Sequence, residues 1–169
     1  IALGCTSGSF IWGSEYDQEL VQKMEQVSGG IPSVTTSGSV IAALKALNVK
    51  KIAVATPYIE EVNIKGKLFL EENRIQVTKI VGLGLLYDSE IDSQSLEIVY
   101  KLAKEVDTKD AEAVVILCTG IRSIPIIEHL ERDLGKPVIS AIQATFWHSL
   151  RISGVQDKIK GYGSLLEKY

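Results

Sequence analysis

Cysteine and histidine are scarce in this chain of 169 residues, with two of each, and aromatic residues make up only 7%. Two Cys and two His without paired spacing do not form a zinc ligand set. Two Cys are also too few for the disulfide framework of a small secreted domain, which favours reduced thiols and a cytoplasmic location. No apolar run approaches the ~18 residues of a membrane span. Eighteen Lys and Arg stand against 21 Asp and Glu, for a net charge of −3. With no basic stripe and no cluster of aromatics with arginine, a nucleic-acid partner is not expected. Only four prolines occur and no Pro/Ser-rich tract, so no flexible linker divides the chain. Gly82-Leu83-Gly84 lacks the third glycine and the later acidic residue of a dinucleotide loop, and Thr6-Ser7-Gly8-Ser9 lacks the lysine of a phosphate loop. No cofactor and no metal are expected.

What the chain does have is 46% hydrophobic residues against 23% charged, enough for a sizeable core. Helical and strand periodicities alternate along it, the pattern of βα units around parallel sheets, so the fold class is α/β. Strands are expected at the start, near Ile31 to Val34, at Lys51 to Ala55, from Ile75 to about Val81, at Ala113 to Leu117 and at Val138-Ile139. The intervening helices start at Ser14, at Ser37, at Thr56-Pro57 (which puts Tyr58 in a first helical turn), at Ser89 or Ser93, at Ser123-Pro125 and at Ser140. The first four residues read as the end of a strand already under way, so an upstream segment is expected. Chain crossings near Asn48 and Ser140 give two parallel-sheet lobes: residues 1–48 with 141–169, incomplete at its start, and residues 49–140.

Both cysteines occupy the same kind of place. Cys5 stands in Ile-Ala-Leu-Gly-Cys-Thr-Ser-Gly-Ser and Cys118 in Ala-Val-Val-Ile-Leu-Cys-Thr-Gly. Each ends an apolar strand and precedes a turn, where open α/β sheets bind ligands and backbone dipoles favour a thiolate. One such Cys is most simply a buried hydrophobe; two in one frame read as a matched pair facing a cleft from different lobes. The small and hydroxyl residues after each, Thr6, Ser7, Gly8 and Ser9 in one, Thr119, Gly120 and Ser123 in the other, let backbone N–H groups converge on an anion. A thiolate there can take a proton from carbon or add to an activated double bond, while the facing thiol returns a proton. This is cofactor-free isomerase chemistry on a small carboxylate. His129 sits on a charged helix face, and His148 beside Phe146 and Trp147 reads as a packing residue.

Gly-Cys-Thr-Ser-Gly-Ser at 4 to 9, Ala-Thr-Pro-Tyr at 55 to 58, Leu-Cys-Thr-Gly at 117 to 120, and Pro-Val-Ile-Ser followed by Gln-Ala-Thr-Phe-Trp-His-Ser-Leu-Arg at 143 to 151 form an ordered set. Together they resemble the aspartate/glutamate racemase superfamily, in its branch of maleate cis-trans isomerases and arylmalonate decarboxylases. The resemblance spans essentially the whole chain and implies two pseudosymmetric α/β lobes with the site between them. It makes Cys5 the match of the isomerase nucleophile and Cys118 its acid/base partner. Thr6 and Ser7 match the pocket that holds a carboxylate, Thr119 and Gly120 the turn after the second thiol, and Tyr58 the hydroxyl that reaches substrate.

In the decarboxylases a glycine stands where Cys5 is, so keeping both thiols points to a maleate isomerase-like activity. The resemblance also predicts an Asn after the second strand of the lobe, where this chain has Tyr87 and Asp88. The alternatives are an arylmalonate decarboxylase-like lyase, a racemase of a 2-substituted acid, and a module that binds a small mono- or dicarboxylate without turning it over. Homo-oligomerisation is left open.

Overall fold

The computed structural model describes residues 1–169. Two parallel sheets organise the chain, as the alternating periodicity requires. The smaller pairs β1 (Ala2–Leu3) with β2 (Val34–Thr35), Ala2 against Val34 and Leu3 against Thr35. Between them run α1 (Thr6–Phe10) and α2 (Ser14–Val27), and α3 (Thr36–Ala46) follows β2 directly.

The larger sheet contains β3 (Lys51–Tyr58), β4 (Gln76–Leu85), β5 (Ala113–Ile116) and β6 (Val138–Ser140), in the order β4-β3-β5-β6 and parallel throughout. Its connections are α4 (Glu60–Glu72), then α5 (Asp88–Asp92) with α6 (Leu96–Val106), then a 3₁₀ turn (Ile124–Ile126) with α7 (Ile127–Leu134). The helices α8 (Ala141–Ile152) and α9 (Ser164–Lys168) close the chain. No helix is long and apolar enough to cross a membrane.

Alternation along the strands builds two cores. Ile52 and Val54 of β3, Ala113 and Val115 of β5, and Ile139 of β6 face Val40 and Leu44 of α3, Phe69 and Leu70 of α4, and Ala144 and Trp147 of α8. Their neighbours Ala53, Ala55, Val114, Ile116 and Val138 face Val99, Leu102 and Leu130 of α6 and α7. Both faces are covered, so these strands read as continuous apolar runs rather than as half-polar ones. Burying each large aliphatic side chain contributes about 1.5–3 kcal/mol before the entropy of ordering the chain is subtracted.

The strand order locates the ligand end. From β3 the chain crosses to one side for β4 and to the other for β5, so the sheet's topological switch point lies between the carboxyl ends of β3 and β5. Tyr58 closes β3 and Cys118 follows β5 within two residues.

This corrects one expectation: Thr56-Pro57 does not start a helix. Both residues lie in β3, Tyr58 is its last residue, and α4 begins at Glu60. The Thr56 hydroxyl accepts from the Tyr58 amide at 3.2 Å and donates to Asn63 Oδ1 at 2.6 Å, so it ties the strand end to α4 instead of capping a helix at Pro57.

Other helix starts shift by a few residues. Gly13 precedes α2, and Glu72 Oε2 accepts from both the Ser14 amide and its hydroxyl. Thr35 caps α3 in place of Ser37, and Ser95 caps α6 in place of Ser93. Ser140 caps α8 in a capping box with Gln143.

Gly82 on β4 faces the Thr56–Asn63 pair. A Cβ there would run into the Tyr58 carbonyl oxygen and Asn63 Nδ2, neither free to yield. Gly82→Ala is therefore expected to destabilise the fold by about 1–3 kcal/mol through overpacking. Urea unfolding should show this as a lower midpoint with an unchanged slope.

Candidate active site

Cys5 is the N-cap of α1, with extended backbone at φ −134° and ψ 113°. Its Sγ lies over Gly8, where a Cβ would approach it to 2.9 Å, so only glycine leaves the thiol this place above the first helical turn. The same turn occurs again at β2. Thr-Ser-Gly-Ser stands at both 6–9 and 36–39, and each copy opens the helix after a strand of the small sheet.

In the second copy Thr35 occupies the position of Cys5. Its Oγ1 accepts from the Gly38 amide at 3.0 Å, and a Cβ at Gly38 would meet that oxygen at 2.9 Å. The Cys5 sulfur thus sits where its neighbour's capping oxygen sits, over the first turn of α1.

The two copies also hold each other. The Ser37 hydroxyl lies 3.0 Å from the Thr6 carbonyl oxygen and 2.7 Å from Ser9 Oγ, and the Ser37 amide donates to Ser9 Oγ at 3.2 Å. Ser9 Oγ also lies 2.9 Å from the Thr6 carbonyl oxygen; each hydroxyl has one proton, so one of the two donates to the other, and the latter donates to Thr6. Thr36 Oγ1 donates to the Leu3 carbonyl at 3.0 Å. This buried frame anchors the turn carrying Cys5.

At the other side of the cleft, Cys118 has φ 90°, a left-handed backbone that an L residue with a side chain adopts at a cost of about 1–3 kcal/mol. The turn it makes leaves the amides of Thr119 and Gly120 without a partner in the chain, although the Thr119 hydroxyl donates to the Gly4 carbonyl at 2.9 Å.

Tyr58 stands between the two turns. Its phenol faces the Cys118 thiol and the Thr6 hydroxyl, with Cys5 acting on it through charge alone. Burial first, and the Cys118 thiol next, push its pKa far above the ordinary phenol value, so Tyr58 is a proton donor at any working pH. The Phe10 ring holds it edge-on, centroids 6.2 Å apart at 73°.

The structure therefore brings Cys5, Thr6, Tyr58, Cys118 and Thr119 to one cleft. Ser7 is half-buried beside them, with no hydrogen bond to its hydroxyl, and Gly120 is exposed on the second turn. Thr6 is 2% exposed, yet its Oγ1 has no well-formed hydrogen bond within the chain, although it lies near enough to Tyr58 to oppose part of the rise in the phenol's pKa. A buried hydroxyl without a partner costs about 1–3 kcal/mol, which a ligand oxygen would return. Ser123, on the Cys118 turn, has a second such hydroxyl.

Further residues adjoin the two turns. Asp92, and not Asp88, lies against the second turn: a Cβ on Gly120 would meet its Oδ1 at 2.5 Å. Leu86 and Tyr87, 62% and 64% exposed, follow the β4 residue that pairs with Tyr58. The repeated Thr-Ser-Gly-Ser was a legible sign that Gly8, Ser9 and Ser37 belong to the site's frame. His148 lies apart from the thiols. Ser39 gives its proton to the Thr35 carbonyl at 2.6 Å, so it accepts from Nδ1–H of His148 at 3.1 Å, an imidazole held neutral by burial.

Comparison with known proteins agrees with this geometry. A family model described as arylmalonate decarboxylase matches residues 1–166. The chain belongs to that family. Arylmalonate decarboxylase of Bordetella bronchiseptica is 32% identical over 172 residues, covering 99% of this chain and 71% of that protein. Maleate isomerase of Geobacillus stearothermophilus is 26% identical, covering 98% and 68%. A liganded double mutant of arylmalonate decarboxylase superposes with a TM-score of 0.95 at 30% identity, over 99% of this chain and 72% of that one. These relatives are enzymes, and they fall on both sides of the branch that the motifs identified.

One buried acid supports the frame. Thr35 Oγ1 donates to Asp17 Oδ1 at 2.6 Å at the start of α3. Burial raises the Asp17 pKa, and the Thr35 bond offsets only part of the rise. A raised native pKa stabilises the fold below the unfolded value, and that contribution is lost as pH climbs through the native one. Melting temperature against pH should thus fall over that interval in the wild type and flatten in Asp17→Asn.

Proposed function

We propose that the protein is a cofactor-independent isomerase of a small unsaturated dicarboxylate such as maleate. Its site lies in the cleft between a lobe of residues 1–48 with 141–169 and a lobe of residues 49–140. The observation that carries this reading is the Cys118 thiol at the switch point with the buried, protonated Tyr58 hydroxyl against it and the Cys5 turn bonded alongside through Thr119 and Gly4.

In this mechanism the Cys5 thiolate adds to one alkene carbon, and the electron pair of the double bond moves into the carboxylate on the other, giving an enediolate. Donors gather where that charge develops: the unpartnered Thr6 hydroxyl, Ser7, Tyr58, and the free amides of Thr119 and Gly120. Cys118 gives a proton to the carbanionic carbon and takes one back after rotation about the new single bond. Expulsion of the Cys5 thiolate restores the double bond in the trans form and leaves the enzyme unchanged.

A second reading, an arylmalonate decarboxylase-like lyase, is favoured by the exposed apolar flank of Leu86 and Tyr87, which would suit an aryl substituent. Proton NMR in deuterated buffer separates the two. With maleate, wild type should form fumarate, Cys5→Ser should form none, and Cys118→Ser should be slower by about 10²–10⁴-fold. Arylacetate formed from an arylmalonate by Cys5→Ser as fast as by wild type would overturn the isomerase reading. Tyr58→Phe should lower kcat by about 10²–10³-fold, the cost of one donor to a developing oxyanion.

A further inference from the structure

We infer that the Thr119 side chain is a latch between the two thiol turns, fixing where Cys118 and Cys5 stand relative to each other, and is not a substrate donor. The inference rests on the reading of the two thiols as one site. Thr119 Oγ1 donates to the Gly4 carbonyl at 2.9 Å, across 115 residues of sequence. It is the only hydrogen bond that joins the turn after β1 to the turn after β5.

Its two ends explain why it matters. The Gly4 carbonyl belongs to the peptide plane that leads into Cys5, and a trans peptide is rigid, so orienting that oxygen orients the backbone from which the Cys5 side chain departs. Thr119 itself follows the left-handed Cys118, a conformation that persists only where its surroundings over-determine it. The Leu117 amide, bound to the Ala55 carbonyl at 2.9 Å, holds the chain before Cys118, and Thr119 holds it after.

The proton count points the same way. A threonine hydroxyl has one proton, and Thr119 gives its proton to Gly4, whereas Thr6, directly after the first thiol, is buried with its hydroxyl unpartnered. The two threonines that follow the two cysteines thus divide the work, Thr6 toward a ligand and Thr119 toward the frame. The backbone amide of Thr119 stays available to substrate.

The test uses the whole chain as wild type, Thr119→Val, which keeps the branched shape without the donor, and Thr119→Ser, which keeps the donor. Alkylation of Cys5 and Cys118 by iodoacetamide is followed separately by peptide mass spectrometry across a pH series, beside kcat and KM on maleate. The valine variant should change the alkylation rate of at least one thiol by about fivefold, the factor carried by one ordinary hydrogen bond. Its kcat should fall by about tenfold with KM within about twofold, and serine should restore both.

Thr119→Ala replaces valine if circular dichroism shows that valine misfolds. Unchanged alkylation of both thiols in the donor-less variant would overturn the latch. So would a raised KM with kcat and alkylation at wild-type values, which would make Thr119 a substrate donor. If wild type turns over no maleate, the isomerase reading fails while the alkylation profiles still decide the latch.

Discussion

The left-handed backbone at Cys118 is the constraint on which the cleft depends. β5 is paired on both sides, with β3 and with β6, and a strand held that way continues straight unless something turns it. A φ of 90° at a residue with a Cβ is an expensive way to turn, one that glycine would make at little cost. The fold keeps a thiol there, and the strain is balanced by contacts on either side of it. Because β3 pairs with β5 residue by residue up to Ala55 and Ile116, the end of β3 arrives beside that turn, and Tyr58 meets Cys118 without any loop having to be ordered.

The two thiols are held by different physics. Around Cys118 the support is dry, coming from parallel strands covered on both faces by aliphatic side chains. Around Cys5 it is a set of buried hydroxyls. β1 and β2 are two residues each and pair through little backbone, so Thr36 and the linked pair of Ser9 and Ser37 supply bonds to carbonyl oxygens that longer strands would supply themselves. Such a network positions well only when every member is satisfied. Ser9, Ser37 and Thr36 are satisfied, whereas Thr6, one residue from the thiol, is not. The unsatisfied hydroxyl is the one that faces the cleft.

Much of this was legible in the chain. The parallel α/β architecture followed from alternating periodicities, and the placement of both cysteines at strand ends followed from the apolar runs before them. Tyr58 was misplaced on a helix because Thr-Pro is a strong helix-start signal locally. Pairing with β4 across a register shift overrode it, keeping Pro57 in the strand. The contact of Asp92 with Gly120 was invisible, because nothing in an acidic run of the form Asp-Ser-Glu-Ile-Asp tells which carboxylate turns inward once Ile91 is buried. The Thr119 bond to Gly4 was hidden for a different reason: it joins positions 115 residues apart, and neither carries a pattern until both sheets exist.

The position of the Cys5 sulfur bears on which chemistry the cleft favours. Its neighbour at Thr35 has an oxygen in the same place, bonded to the helix amide and therefore fixed. A sulfur in that place makes weaker hydrogen bonds than an oxygen, and the Cys5 side chain makes no capping bond. It is also exposed, while Thr35 is buried. The thiol thus has the place of a cap without being tied down as one, which suits a group that must attack carbon and then leave. A decarboxylation that needs only a proton returned to an enediolate would have no use for such a group on this side of the cleft, because in the proposed arrangement Cys118 would supply the proton from the other. The cost of keeping a thiol here, with glycine required beneath it at position 8, argues for a reaction in which both faces of the substrate are engaged.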